Sequence, residues 1–133
     1  MRPIKFRGLI NEKNEERRWV YGFLNFEEYD DGEYSFPSIM YYDDEVGWYS
    51  NIVDEKSVGQ FTGAEDGFGN EIYEGDIIKD RRDRVFEVEW DDFHYQFVLR
   101  NQEGVIRYTL GHFINELYGC EVIGNIFEKG GEK

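Results

Sequence analysis

SVGQFTGAEDGFGNEIYEGDIIK, residues Ser57–Lys79, sets five glycines and several chain-reversal signals between two apolar runs. Glycine tolerates left-handed backbone, and Asp can hydrogen-bond its own backbone two residues on. The stretch therefore reads as a tightly specified connector that leads into a β-strand starting at Ile77. Beyond it the pattern stays β. Arg84 to Trp90 alternates, with Phe86, Val88 and Trp90 expected inward and Glu87 and Glu89 outward. Asp91-Asp92 is expected to be a two-residue hairpin turn, and Tyr95, Phe97 and Leu99 share one side of the returning strand. Val105 to Tyr108 is a short strand. Thr109 to Tyr118 carries the helix signal, with Leu110, Phe113, Ile114 and Leu117 at helical spacing, Thr109 as N-cap and Gly119 as C-cap. Glu121 to Glu128 reads as a last strand and Lys129 to Lys133 as a tail.

Upstream, Pro3 to Ile10 reads as a strand and Asn11 to Arg18 as a polar turn. Trp19 to Phe26 is a second strand with Trp19, Tyr21 and Phe23 on one side, and Gly22 marks a bulge or a close backbone approach. Asp30-Asp31-Gly32 is a turn. Tyr34 to Tyr42 is extended, and Pro37 within it suggests an edge strand. Val46 to Val53 follows after the turn Asp43-Asp44-Glu45. Short strands, tight turns and one short helix predict a mainly β protein. The expected division is 1–56, a small antiparallel β region rich in acids and rings, then 57–128, then the tail 129–133.

Composition limits the function. There are 29 acidic against 15 basic residues, a formal charge of −14. Such a surface repels duplex phosphate and anionic membrane, so no direct nucleic-acid binding and no membrane binding are expected, and basic partners are favoured. The 24 aromatic residues, with 36 Leu, Ile, Val and Phe in all, argue for a folded core. A single cysteine, Cys120, excludes an intramolecular disulfide framework and reads as a small, partly buried thiol. With no signal-peptide or membrane-spanning pattern, a cytoplasmic location is expected.

Three places together resemble the YopX family of phage and prophage proteins. They are Met1-Arg2-Pro3-Ile4-Lys5-Phe6-Arg7; Val58-Gly59-Gln60-Phe61-Thr62-Gly63 through Asp66 and Gly69-Asn70-Glu71-Ile72-Tyr73-Glu74-Gly75-Asp76-Ile77-Ile78; and Val122-Ile123-Gly124-Asn125-Ile126-Phe127-Glu128. They lie in the family's order, and the middle one is the most specific. The resemblance implies that the later part is an SH3-like β-barrel, that the chain is a phage or prophage product at work in a bacterial host cell, and that no catalytic residues carry over.

The candidate chemistry is sparse. A phosphate cradle around Gly63, Gly67, Gly69 and Gly75 lacks a following Gly-Lys-Ser/Thr, and Glu65, Asp66, Glu71, Glu74 and Asp76 would repel an anion. Those carboxylates suit calcium better, but without the EF-hand spacing. Zinc would need more His and Cys. No metal site and no cofactor is therefore expected. His94 beside Asp91-Asp92 could be a carboxylate-oriented base, though an exposed strand-end histidine is the plainer reading.

Trp19 to Glu55 holds ten acids, eleven aromatics and no Lys or Arg. Rings inside and acids outside is the expected arrangement. The functional expectation is a non-enzymatic accessory protein that engages a basic host or phage protein through Tyr29, Asp30, Asp31, Tyr41, Tyr42, Asp43, Asp44 and Trp48. Two other readings stand beside it: a DNA mimic occupying a host nucleic-acid-binding protein, and a metal-dependent enzyme using the Asp66–Asp76 carboxylates. Arg81, Arg82 and Arg84 form a basic tip that could meet the acidic face of another copy, giving a homo-oligomer.

Overall fold

The computed structural model describes residues 3–13, 15–29, 32, 34–113 and 119–131. The chain divides into two compact units, Met1–Gln60 and Phe61–Lys133.

In the first unit, β1 (Phe6–Leu9), β2 (Trp19–Tyr29), β3 (Tyr34–Asp43) and β4 (Gly47–Ile52) form an antiparallel sheet in the order β4-β3-β2-β1. The outer strands meet at one end: Ile10 bridges Val53, and the Asn11 amide donates to the Ile52 carbonyl at 2.9 Å. Ile10, Val20, Ile39 and Val53 make the core, with Phe6, Leu24, Tyr41 and Val58 packed on it. Each buried aliphatic side chain contributes about 1.5–3 kcal/mol. The polar segment after Ile10 is pinned to this sheet by Glu12, whose Oε1 accepts from Asn51 Nδ2 at 2.8 Å and from the Ile52 amide at 3.1 Å.

Pro37 does not mark an edge. It sits in β3, opposite Phe26 and between two strands. The reason lies in where β4 stops. The residue's N and C=O point toward β4, where its carbonyl accepts from Val53 at 3.0 Å, just past the end of that strand. The missing N–H thus falls where the ladder has already stopped.

The stretch read as a connector holds strands of its own. These are β5 (Gly59–Glu65), β6 (Glu71–Tyr73) and β7 (Asp76–Lys79). Gly59 and Gln60 pair with β1, and later β5 residues pair with β6. In the second unit β7 joins β8 (Val85–Asp91), β9 (Gln96–Asn101), β10 (Ile106–Thr109) and β11 (Glu121–Asn125) in one antiparallel sheet, order β10-β9-β8-β7-β11. Its core comprises Ile72, Ile78, Phe86, Val88, Leu99, Leu110, Phe113 and Cys120. Tyr108, Phe113 and Phe86 stack there with centroids 5.2–5.8 Å apart. Phe86 and Val88 point inward as expected, whereas Trp90, near the strand's end, is 40% exposed.

The protein is mainly β, in two antiparallel sheets; among the described residues no ladder joins β10 to β11, so this second sheet is not closed into a barrel. Helix α1 (Leu110–Phe113) begins where the periodicity places it; residues 114–118 of the expected helix lie outside the described residues. The last strand is shorter than its sequence suggests. Asn125 pairs with Asp76, the first residue of β7, and there the β7–β11 ladder ends. The chain turns into α2 (Ile126–Gly131), with Asn125 Oδ1 accepting the Glu128 amide at 2.8 Å as its cap.

The β8–β9 hairpin also differs from expectation. Asp91 pairs with Gln96, so four residues make the turn, closed by the Tyr95 amide on the Asp91 carbonyl at 2.8 Å. Tyr95 is held at φ 56° with its ring 79% exposed. That backbone disfavours an L side chain, and the ring has little burial to offset it. Tyr95→Gly should raise stability by about 1 kcal/mol in urea unfolding; a loss of stability would show that the ring packs usefully.

Candidate partner-binding face

Alternation along β2, β3 and β4 gives their sheet two faces. Cross-strand pairs Leu24–Ile39, Ile39–Asn51 and Tyr41–Tyr49 define the core face. Pairs Phe23–Met40 and Tyr42–Trp48 define the other. The expected segregation of rings inward and acids outward is absent, because rings occupy both faces. On the outer face Phe23 is 57%, Tyr42 62% and Trp48 62% exposed, and Tyr21 is solvent-facing beside them. Trp48 joins the group, its ring centroid 6.2 Å from Phe23 and 5.7 Å from Tyr42, edge-on to the latter. Such spacings are those of favourable aromatic pairs.

The carboxylates concentrate at turns, where they cap their own backbone. Asp43 Oδ1 accepts the amides of Glu45 at 2.8 Å and Val46 at 3.1 Å. Asp54 does the same for Lys56, Asp80 for Arg82 and Arg84, and Asp91 for Phe93. The exposed side chains of Asp44 and Glu45 stand in the β3–β4 turn, directly beyond the Tyr42–Trp48 pair.

The sequence-derived contact residues separate accordingly. Tyr42 and Trp48 share the outer face, with Asp44 at its end. Tyr41 points to the opposite face, half-buried, its hydroxyl donating to Asn51 Oδ1 at 2.5 Å. Asp43 is spent on the turn. Asp30, Asp31 and the Tyr29 side chain lie outside the described residues. Phe23 and Tyr21 belong to the face but are missing from the sequence-derived set. Their shared parity with Trp19 was legible; that the parity faces outward was not.

The basic tip is largely occupied. Arg84 grips Asp80 with Nε and Nη2, each 2.7 Å from Oδ2, donates to the Tyr108 hydroxyl at 3.0 Å, and lies 5.7 Å over Phe86 and Tyr108. Arg81 packs along Gly119, where a Cβ would collide with it. Arg82 is exposed.

The Asp66–Asp76 loop is built as a staple. Asp66 is buried; its Oδ1 accepts the amides of Phe68 and Asn70 at 2.9 Å, and its Oδ2 accepts Asn70 Nδ2 at 3.0 Å and the Val122 amide at 2.9 Å. Burial pushes its carboxyl upward, but the Val122, Asn70 and Phe68 donors outweigh that and hold it below the ordinary value. Asp76 Oδ2 accepts the Tyr73 amide at 2.7 Å, and Glu71 accepts the Tyr73 hydroxyl at 2.8 Å. Among the described residues no three His, Cys, Asp or Glu side chains gather as metal ligands. His94 does meet Asp91, Nδ1 to Oδ2 at 2.8 Å, and this hydrogen bond holds the Asp91 carboxyl low. The pair stands on an exposed hairpin tip, not in a cleft.

No helix among the described residues is long and apolar enough to cross a membrane. No curated protein matches the chain. A family match spans residues 5–131, which takes in the ring-bearing sheet, the Asp66 staple and the open second sheet alike: the chain belongs to the YopX protein family.

Proposed function

We propose that the chain is a non-enzymatic accessory protein of phage or prophage origin that acts in the bacterial cytoplasm through protein–protein contact, and that its contact surface is the outer face of β2–β4. The observation that carries this is the contiguous trio Phe23, Trp48 and Tyr42, each more than half exposed on regular strands. Apolar side chains left in water on a rigid sheet are a standing cost that burial in a complex removes, and Tyr and Trp are the residues that dominate such contacts. Rings fixed on strands are also pre-organised, so little entropy is lost when they dock.

Affinity capture from bacterial lysate tests the reading. Phe23→Ala combined with Trp48→Ala should abolish retention of proteins held by the wild type, while thermal unfolding stays within a few degrees because neither ring is in the core. Retention at wild-type level by the folded double variant would remove the ring face as the contact surface.

A further inference from the structure

We propose that the ring face takes basic side chains, arginine above all, from a short extended segment of the protein partner. This rests on the reading that the face is the partner contact, and it adds the chemistry of what is bound.

Four observations converge. First, Phe23, Trp48 and Tyr42 offer adjoining π surfaces to solvent. Aromatic faces attract cations, Trp most strongly and guanidinium more often than ammonium. Second, residues 19–55 contain ten acids and no Lys or Arg, and the exposed Asp44 and Glu45 stand at the end of the Tyr42–Trp48 pair. A cation arriving there meets attraction, and none of the three ring-bearing strands holds a Lys or Arg of its own. Third, the same sheet face already stacks a guanidinium: Arg7, in β1, lies 4.8 Å from the ring centroid of Trp19 in β2. Fourth, size and charge argue against a second copy as occupant. Tyr21, Phe23, Tyr42 and Trp48, at about 200 Å² each and roughly half exposed, present roughly 450 Å². A stable dimer needs about 800 Å² per partner, and two copies at −14 each would repel. A short basic segment fits both the area and the sign.

Calorimetric titration of the full chain with hexa-arginine, hexa-lysine and hexa-glutamate peptides, at 50 and 500 mM salt, reads this directly. Hexa-arginine should bind several-fold more tightly than hexa-lysine, and hexa-glutamate should not bind. Trp48→Leu, which keeps apolar contact but removes the indole, should weaken hexa-arginine about tenfold. Asp44→Asn with Glu45→Gln should weaken it about threefold and flatten its salt dependence. Tyr42→Leu supplies the ring test should Trp48→Leu lose its fold by circular dichroism. Absence of hexa-arginine binding at 50 mM salt would overturn the proposal. So would unchanged affinity in the folded ring variants, since diffuse charge attraction would then account for the binding. If lysate capture depends on the ring face while hexa-arginine fails, the cationic chemistry is wrong and the contact surface stands; if both fail, both readings fall.

Discussion

Asp66→Ala should cost the second unit about 3–4 kcal/mol, a large effect for one residue on a loop. The carboxylate accepts four hydrogen bonds, three from backbone amides, and the Val122 amide comes from a strand 56 residues away. Alanine would leave those donors without their acceptor in a site where Asp66 is only 7% exposed. The same geometry fixes a pH dependence. Asp66 is held below its ordinary value by its donors against the opposing effect of burial; Asp80 is likewise held low, its burial outweighed by the Arg84 and Arg82 amides and the Arg84 side chain. Groups depressed in the folded state contribute stability that is full above the unfolded value of about 3.9 and is lost as pH falls through the lower folded values. Urea midpoints should therefore drop on acidification below about pH 4, and Asp66→Ala should show a shallower drop. Asp92→Ala, exposed on the hairpin turn, should change stability by less than about 0.5 kcal/mol. An Asp66 variant as stable as wild type would mean that the staple does not organise this loop.

Gly22→Ala should damage the first unit by about 3 kcal/mol or more. A Cβ there would press on the Met40 carbonyl, overlapping its oxygen and lying 3.0 Å from its carbon, with Tyr41 Cβ at 3.3 Å. Backbone cannot swing aside as a flexible side chain can, so β2 and β3 would have to part just where their pairing begins at Phe23–Met40. Gly111→Ala, in α1 with open space around the new methyl, should instead be neutral or gain up to about 1 kcal/mol. Urea denaturation of both variants checks the contrast; similar midpoints would contradict the close approach.

The sequence was most readable where polar and apolar residues contrast. The clean alternation of Phe86, Glu87, Val88 and Glu89 specifies both the strand and its buried side, and Gly22 signalled its close approach. It was least readable in Trp19–Phe26, where Trp19, Tyr21 and Phe23 on one parity face Val20, Leu24 and Phe26 on the other. With rings and aliphatics on both parities, period two gives a strand but not its inner face, and the solvent side was misassigned. The glycines of Ser57–Lys79 suggested loop and hid the short strands between them. Pro37 and Asn125 misled for a different reason: whether a proline is tolerated or a strand ends depends on where the neighbouring strand stops, which is non-local. Half of the exposed ring face was thus named from sequence, through Tyr42 and Trp48; Phe23 required the register.

The central claim is that contact is made on one face of β2–β4. Neighbouring residues Trp48 and Tyr49 point to opposite faces and are both exposed. A photo-crosslinking amino acid placed at each position in turn, with irradiation in bacterial cells, compares the two faces directly. The account predicts a discrete crosslinked protein from position 48 and none from position 49. Crosslinking from position 49 alone, or equally from both, would contradict it.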